Sequence, residues 1–166
     1  MTPIHCYALA PWDDDDGDGG ARSVLLKDGV RTGLVLPGRC LEAQFHGLDG
    51  DLLFLTHDIP YEEQLEIVLI ADSGAILDRA SVSGAYTTGH FRDATVTGGN
   101  SVAFAFFDGP PWRLTTSDTD RFRLPWLGCE PRGVHRPFGW RRRFAIEPVV
   151  RRENSRRSRN GLSHSD

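Results

Sequence analysis

Residues 65–82 read LEIVLIADSGAILDRASV, and this stretch decides the fold class. Apart from Glu66, Leu65–Ala71 is apolar on both alternating faces, the pattern of a strand covered from two sides. Asp72-Ser73-Gly74 then turns the chain, and a second β-rich run follows, so the whole stretch predicts a hairpin. The same grammar recurs outward in both directions. In SVLLKDGVRTGLVLPG, residues 23–38, Asp28-Gly29 separates two β-rich runs. In residues 40–58, CLEAQFHGLDGDLLFLTHD, Gly47–Gly50 folds Cys40–His46 back onto Asp51–Thr56. Residues 94–117 predict strands at Ala94–Thr97, Ser101–Phe107 and Trp112–Thr116, separated by Gly98-Gly99-Asn100 and Gly109-Pro110-Pro111. RFRLPWLG and RRRFAIEPVV add two more, while Tyr61–Gln64 offers only about one helical turn.

Short strands joined by Gly, Asp and Pro turns imply an all-β fold, a single antiparallel β-sandwich or barrel of hairpin-linked strands. In VAFAFF, residues 102–107, both faces look buried. The mixed strands Val30–Leu36 and Trp112–Thr116 are expected at sheet edges. The domain is expected over residues 3–148. Residues 149–166 are rich in Arg and Ser and nearly free of apolar side chains, so a disordered basic tail is expected there.

Charge is divided along the chain. Residues 1–120 hold 19 acidic and 7 basic residues, a net of −12, and residues 121–166 hold 4 acidic and 12 basic, a net of +8. Such asymmetry bears on partners rather than on fold. The basic tail has no interleaved aromatics and adjoins an acidic body that repels a polyanion, so nucleic-acid binding is not expected. Three cysteines, Cys6, Cys40 and Cys129, are far apart and odd in number, as in a reducing compartment. With no basic, apolar leader pattern and no apolar run of membrane-spanning length, the expectation is a cytoplasmic protein without membrane partners.

The candidate binding residues follow from this charge. PWDDDDGDGG, residues 11–20, carries Asp13, Asp14, Asp15, Asp16 and Asp18. Its spacing repeats the first half of a calcium-binding EF-hand loop, but the twelfth position is Leu25 where a bidentate Glu is needed, and calcium is not expected. Asp58, Glu62 and Glu63 form a second acidic patch. His57 beside Asp58 and Glu62 is the arrangement general acid–base chemistry would use, and His90 with Asp93 is a similar pair. Cysteine and histidine lack the close spacing of a zinc site, no nucleophile, phosphate-loop or metalloprotease motif is present, and no metal, cofactor or catalytic residue is assigned.

These features point to a non-enzymatic acidic protein that engages a basic protein partner through Asp13–Asp16, Asp18, Asp58, Glu62 and Glu63. Size, charge and the lack of a catalytic motif are those of small bacterial inhibitors and immunity proteins against toxins, an analogy of class. The alternatives are a small-ligand or carbohydrate-binding fold using Trp112, Trp126 and Trp140 as stacking platforms, and a hydrolase-like enzyme built on His57, Asp58 and Glu62. One expectation concerns the tail. Removing residues 151–166 should leave the melting temperature within about 2 °C in a calorimetric scan, since an unpacked segment adds little to cooperative unfolding.

Overall fold

A computed structural model describes residues 1–12, 21–59, 62–84, 89–122, 130–139 and 141–149. It is all-β and antiparallel, with no helix among the described residues. In chain order the strands are β1 (Thr2–Pro3), β2 (Tyr7–Pro11), β3 (Arg22–Lys27), β4 (Val30–Pro37), β5 (Cys40–His46), β6 (Asp51–Thr56) and β7 (Leu65–Ile70). They continue as β8 (Ile76–Val82), β9 (Arg92–Gly98), β10 (Ser101–Ala105), β11 (Trp112–Phe122), β12 (Val134–His135) and β13 (Arg141–Pro148). No helix among the described residues is long and apolar enough to cross a membrane.

Three sheets form three layers. The middle one has six strands in the order β1-β5-β6-β7-β8-β12; β13-β11-β10-β9 and β2-β3-β4 form the other two. The alternation of side chains dictates the layering. On β6, Leu52 and Phe54 pack with Val102, Phe104, Leu114 and Phe144 of the four-stranded sheet. Leu53 and Leu55 point the other way and pack with Tyr7, Leu25 and Leu36 of the three-stranded sheet. β7 divides likewise, with Leu65, Ile67 and Leu69 on one face and Val68 and Ile70 on the other. Every residue of β6 and β7 is buried, as two-sided covering requires.

The hairpins around 28–29, 47–50 and 72–74 form as expected. Gly50 fixes the second of them: at φ +140°, a Cβ there would lie 2.0 Å from the Ile70 carbonyl oxygen. Two expectations need correction. Trp112–Thr116 is interior, because β13 returns from far along the chain and pairs Phe144–Pro148 with it. β10 is covered on one face only: Val102 and Phe104 are buried while Ser101, Ala103 and Ala105 are half-buried, since its sheet is an outer layer. It also ends at Ala105, before Phe107, which takes a left-handed φ of 69°. The expected edge strand Val30–Leu36 is an edge, and β2 went unexpected. The acidic stretch 13–18, RFRLPWLG beyond Phe122, Tyr61 and the tail beyond Val149 lie outside the described residues, while Glu62, Glu63 and Gln64 of the candidate helical turn are not helical.

Polar junctions tie the layers together. On β8, Asp78 faces the four-stranded sheet. Its Oδ2 accepts from Arg136 Nη1 at 3.1 Å and from the backbone N–H groups of Arg143 and Phe144 at 2.8 and 3.3 Å. Arg136 is buried, lies 4.4 Å above the Phe144 ring and donates through Nη2 to the Phe144 carbonyl at 3.0 Å. Its Nε lies 3.3 Å from Glu130 Oε1. Burial pulls the Arg136 pKa down, Asp78 and Glu130 oppose this, and the nearby Arg142 adds to the fall.

On the other side, Asp51 of β6 joins the three-stranded sheet. Tyr7 Oη and Lys27 Nζ donate to its Oδ2 at 2.7 and 3.2 Å, and His46 Nδ1 lies 2.8 Å from Oδ1. Burial works to raise the Asp51 pKa, but the hydrogen bonds from Tyr7, His46 and Lys27 together hold it below the usual aspartate value. Burial, and then the bond to Asp51, pushes the Tyr7 hydroxyl up to about 12.

Two predictions follow from these junctions. Replacing Asp78 by Ala strands the buried Arg136 and should cost about 3–5 kcal/mol in chemical denaturation, whereas Asn, which still accepts hydrogen bonds, should cost less. Because folding lowers the Asp51 pKa, its stabilising contribution is present above the ordinary aspartate range and is lost as pH falls through the folded value. The stability gap to Asp51→Asn should therefore be steady from neutral pH down to about 4 and shrink below that.

Candidate functional site

An acidic concavity opens at the end of the middle sheet where β5 begins and β6 ends. Cys40, Glu42, Thr56, Asp58, Ile59, Glu63, Gly89, His90 and Phe91 enclose a cavity of about 340 Å³. Local structure explains each position. The β5–β6 register shifts between Leu41 and Ala43, so Glu42 is a bulge residue. Its Oε1 accepts from the Thr56 hydroxyl at 2.6 Å. Asp58 lies just past β6 in a left-handed conformation, φ 59°, and is exposed. The opposite wall is the segment 89–91. It can lie against the core because residue 89 is glycine: a Cβ there would come within 2.5 Å of the Phe106 ring. The Phe91 ring lies 5.2 Å from that of Phe54 and 5.8 Å from that of Phe104.

Glu63 organises the loop that carries Asp58. Its Oε1 accepts from the backbone N–H groups of His57, Asp58 and Gln64 at 2.7, 3.2 and 3.2 Å, and Oε2 accepts from Ile59 N–H at 3.0 Å. These bonds tie His57, Asp58 and Ile59 to Glu63 and Gln64 and place the Glu63 carboxyl at the cavity wall. None of Glu42, Asp58 and Glu63 has an Lys or Arg partner among the described residues. The thiol of Cys40 senses the result. Burial first, then the charges of Asp58, Glu42 and Glu63, push its pKa above the usual cysteine value. The cavity thus has an acidic side, with Ile59 and Phe91 as apolar walls.

The other candidate residues fall in different places. Glu62 is exposed beside this loop but does not line the cavity. His57 turns away from Asp58 and Glu62, toward Glu66 on the opposite face of the sheet, with Nε2 3.5 Å from Glu66 Oε1. His90 lines the cavity, while Asp93 is an exposed residue at the start of β9 with φ 57°. Trp112 is half-buried against the core, and its indole N–H donates to the Phe106 carbonyl at 3.3 Å. Asp13, Asp14, Asp15, Asp16 and Asp18, with Trp126 and Trp140, lie outside the described residues. Sequence reasoning missed Glu42, Cys40 and Thr56. The signal for Glu42 is the bulge, which alternation alone does not reveal.

One further group, His46, Asp51 and Asp72, brings three possible ligand atoms within 4.8 Å of one another. Asp51 already accepts from Tyr7 and Lys27, and the Lys27 ammonium 3.2 Å away supplies the counter-charge that a cation would bring. Cys6 and Cys40 are free thiols. Compared with known proteins, the chain matches no family model, no curated protein and no solved structure.

Proposed function

We propose that this is a non-enzymatic binding protein whose acidic cavity receives a cationic side chain of a basic protein partner, as an inhibitor or immunity protein would. The observation that carries the reading is the unpaired acidic side of the cavity. Glu42, Asp58 and Glu63 converge on about 340 Å³ with no Lys or Arg among the described lining residues. A guanidinium or ammonium entering there gains charge-assisted hydrogen bonds, and the apolar walls of Ile59 and Phe91 suit the stem that carries it. Exposed Asp58 and Glu62 add to the negative field and would steer a basic protein toward the opening. The acidic stretch Asp13–Asp16 and Asp18 belongs to the same proposal as a second source of attraction. A cytoplasmic setting fits the two free thiols.

The other two readings have less support. A stacking platform wants an exposed ring, whereas Trp112 is half-buried with its N–H engaged. General acid–base chemistry wants His57 within reach of Asp58 or Glu62, and its ring faces Glu66 instead.

The test uses a hexa-arginine peptide as probe, with hexa-glutamate as control. Hexa-arginine should bind, and raising salt from about 50 to 300 mM should weaken it severalfold as the Debye length shrinks. Asp58→Asn and Glu42→Gln should each weaken binding by about threefold to tenfold, chiefly through slower association in stopped-flow measurements. Asp14→Asn, Asp16→Asn and Asp18→Asn together report what the N-terminal aspartates add. Binding indifferent to salt and to the Asp58 and Glu42 replacements would sink the proposal.

A further inference from the structure

A second concavity has the opposite charge. The three-stranded sheet is narrower than the six-stranded sheet it covers, and it does not reach over β8. On that uncovered face Ser81 is half-buried and Arg79 is exposed, while Leu77, at a register shift, packs toward the core on the four-stranded side. One wall is the end of the covering sheet, at Pro37, and the other is the segment carrying His135, Arg136 and Pro137. β12 pairs with β8 only at Ser81 and Val82, so the Ile76–Arg79 edge of β8 is left open. Two cavities of about 280 Å³ each lie along it, and Arg79 and Pro137 border both.

Glu66 lines the second cavity together with Arg79 and Arg136, whereas the first carries a surplus of positive charge in a body that is otherwise acidic. Arg79, Arg141 and Arg142 line the first cavity. Arg142 is held in place: its Nη2 donates to the Pro137 carbonyl at 2.9 Å, and its side chain is 16% exposed. Asp78, which also borders this cavity, does not cancel the three. Its oxygens are taken by Arg136 and by the backbone N–H groups of Arg79, Arg143 and Phe144, and Arg142 Nη1 stays 3.9 Å away. Arg141 shares Asp120 at 3.4 Å in a largely exposed pair. The Arg79 guanidinium makes no ion pair or hydrogen bond with the other described residues. Crowding of like charge is already felt inside the fold, where Arg142 adds to the lowering of the Arg136 pKa. Ile76, Leu77 and Pro137 supply an apolar wall beside the arginines.

We propose that this groove binds a small organic phosphate monoester, with Arg79 and Arg142 on the phosphate and the apolar wall against the organic group. Planar guanidinium forks match phosphate oxygens in pairs, and a dianion answers the surplus charge better than a monoanion does. The site is independent of the acidic cavity in residues, in location and in the sign of its charge.

Phenyl phosphate is the probe, titrated by calorimetry against the full chain. Saturable binding with a dissociation constant of about 1 mM or tighter is expected. Inorganic phosphate, lacking the apolar group, and benzoate, lacking the second charge, should each bind at least about fivefold more weakly. Arg79→Ala should weaken phenyl phosphate by about tenfold, the loss of one charged hydrogen-bonding partner. Arg113→Ala, an exposed arginine on β11 remote from the groove, should leave binding unchanged. Both arginines are exposed, so neither replacement should disturb folding, and unchanged melting temperatures check this. No saturable binding up to about 10 mM overturns the proposal. So does an equal effect of Arg79→Ala and Arg113→Ala, which would mark diffuse charge attraction. Benzoate binding as tightly as phenyl phosphate overturns the phosphate assignment.

Discussion

A sheet whose middle strands carry apolar side chains on both faces must be covered twice, and that constraint organises the molecule. Leu52 and Phe54 need one layer, Leu53 and Leu55 need another, and β7 repeats the demand. Two small sheets meet it, one of four strands and one of three, against a middle sheet of six. The mismatch in width matters as much as the burial. Where the covering layers stop short, the middle sheet keeps a rim of polar and charged residues, and both concavities lie there. The acidic cavity opens at the β5–β6 end and the basic groove runs along β8.

The charge division along the chain looks different once folded. A body of −12 followed by an end of +8 reads as two opposed regions, yet Arg136, Arg141, Arg142 and Arg143 of the basic segment are tied to the body by ion pairs. Arg136 meets Asp78 at 3.1 Å, and Arg143 meets Asp120 at 2.6 Å and Asp49 at 3.5 Å. The buried Asp78–Arg136 pair holds β8 to β13 across two sheets, and its desolvation is offset by backbone N–H donors as well as by opposite charge. Among the described residues, a local surplus of charge is left at each concavity.

The hairpins were legible because turn chemistry is local: Asp28-Gly29, Gly47–Gly50 and Asp72-Ser73-Gly74 each act within a few residues. The two-sided burial of Leu65–Ile70 was legible too, from apolar side chains on both alternating faces broken only by Glu66. Strand position within a sheet was not. WRLTTS alternates in the same way at an edge or inside, and its partner β13 begins about twenty residues beyond β11. VAFAFF is apolar on both faces although one is only half-buried, since small Ala103 and Ala105 fit either setting. At the site, the cluster Asp58, Glu62 and Glu63 was visible as charge, but the clasp of Glu63 on four backbone N–H groups depends on loop shape. Glu42 reaches the cavity through a bulge that no spacing rule marks.

The order of strands in the middle sheet also bears on how the chain finds its fold. β5, β6, β7 and β8 are neighbours both in sequence and in space, joined by short connections. Their pairings close small loops, so forming them loses little chain entropy. The partners β1 and β12 at the margins of that sheet, and β13 in the four-stranded sheet, pair across longer stretches of chain, and the covering layers must still dock onto the middle sheet. Until they do, the hydrophobic faces of β6 and β7 stand open to water. This interval, more than the finished molecule, is where association with other unfolded chains has its opportunity.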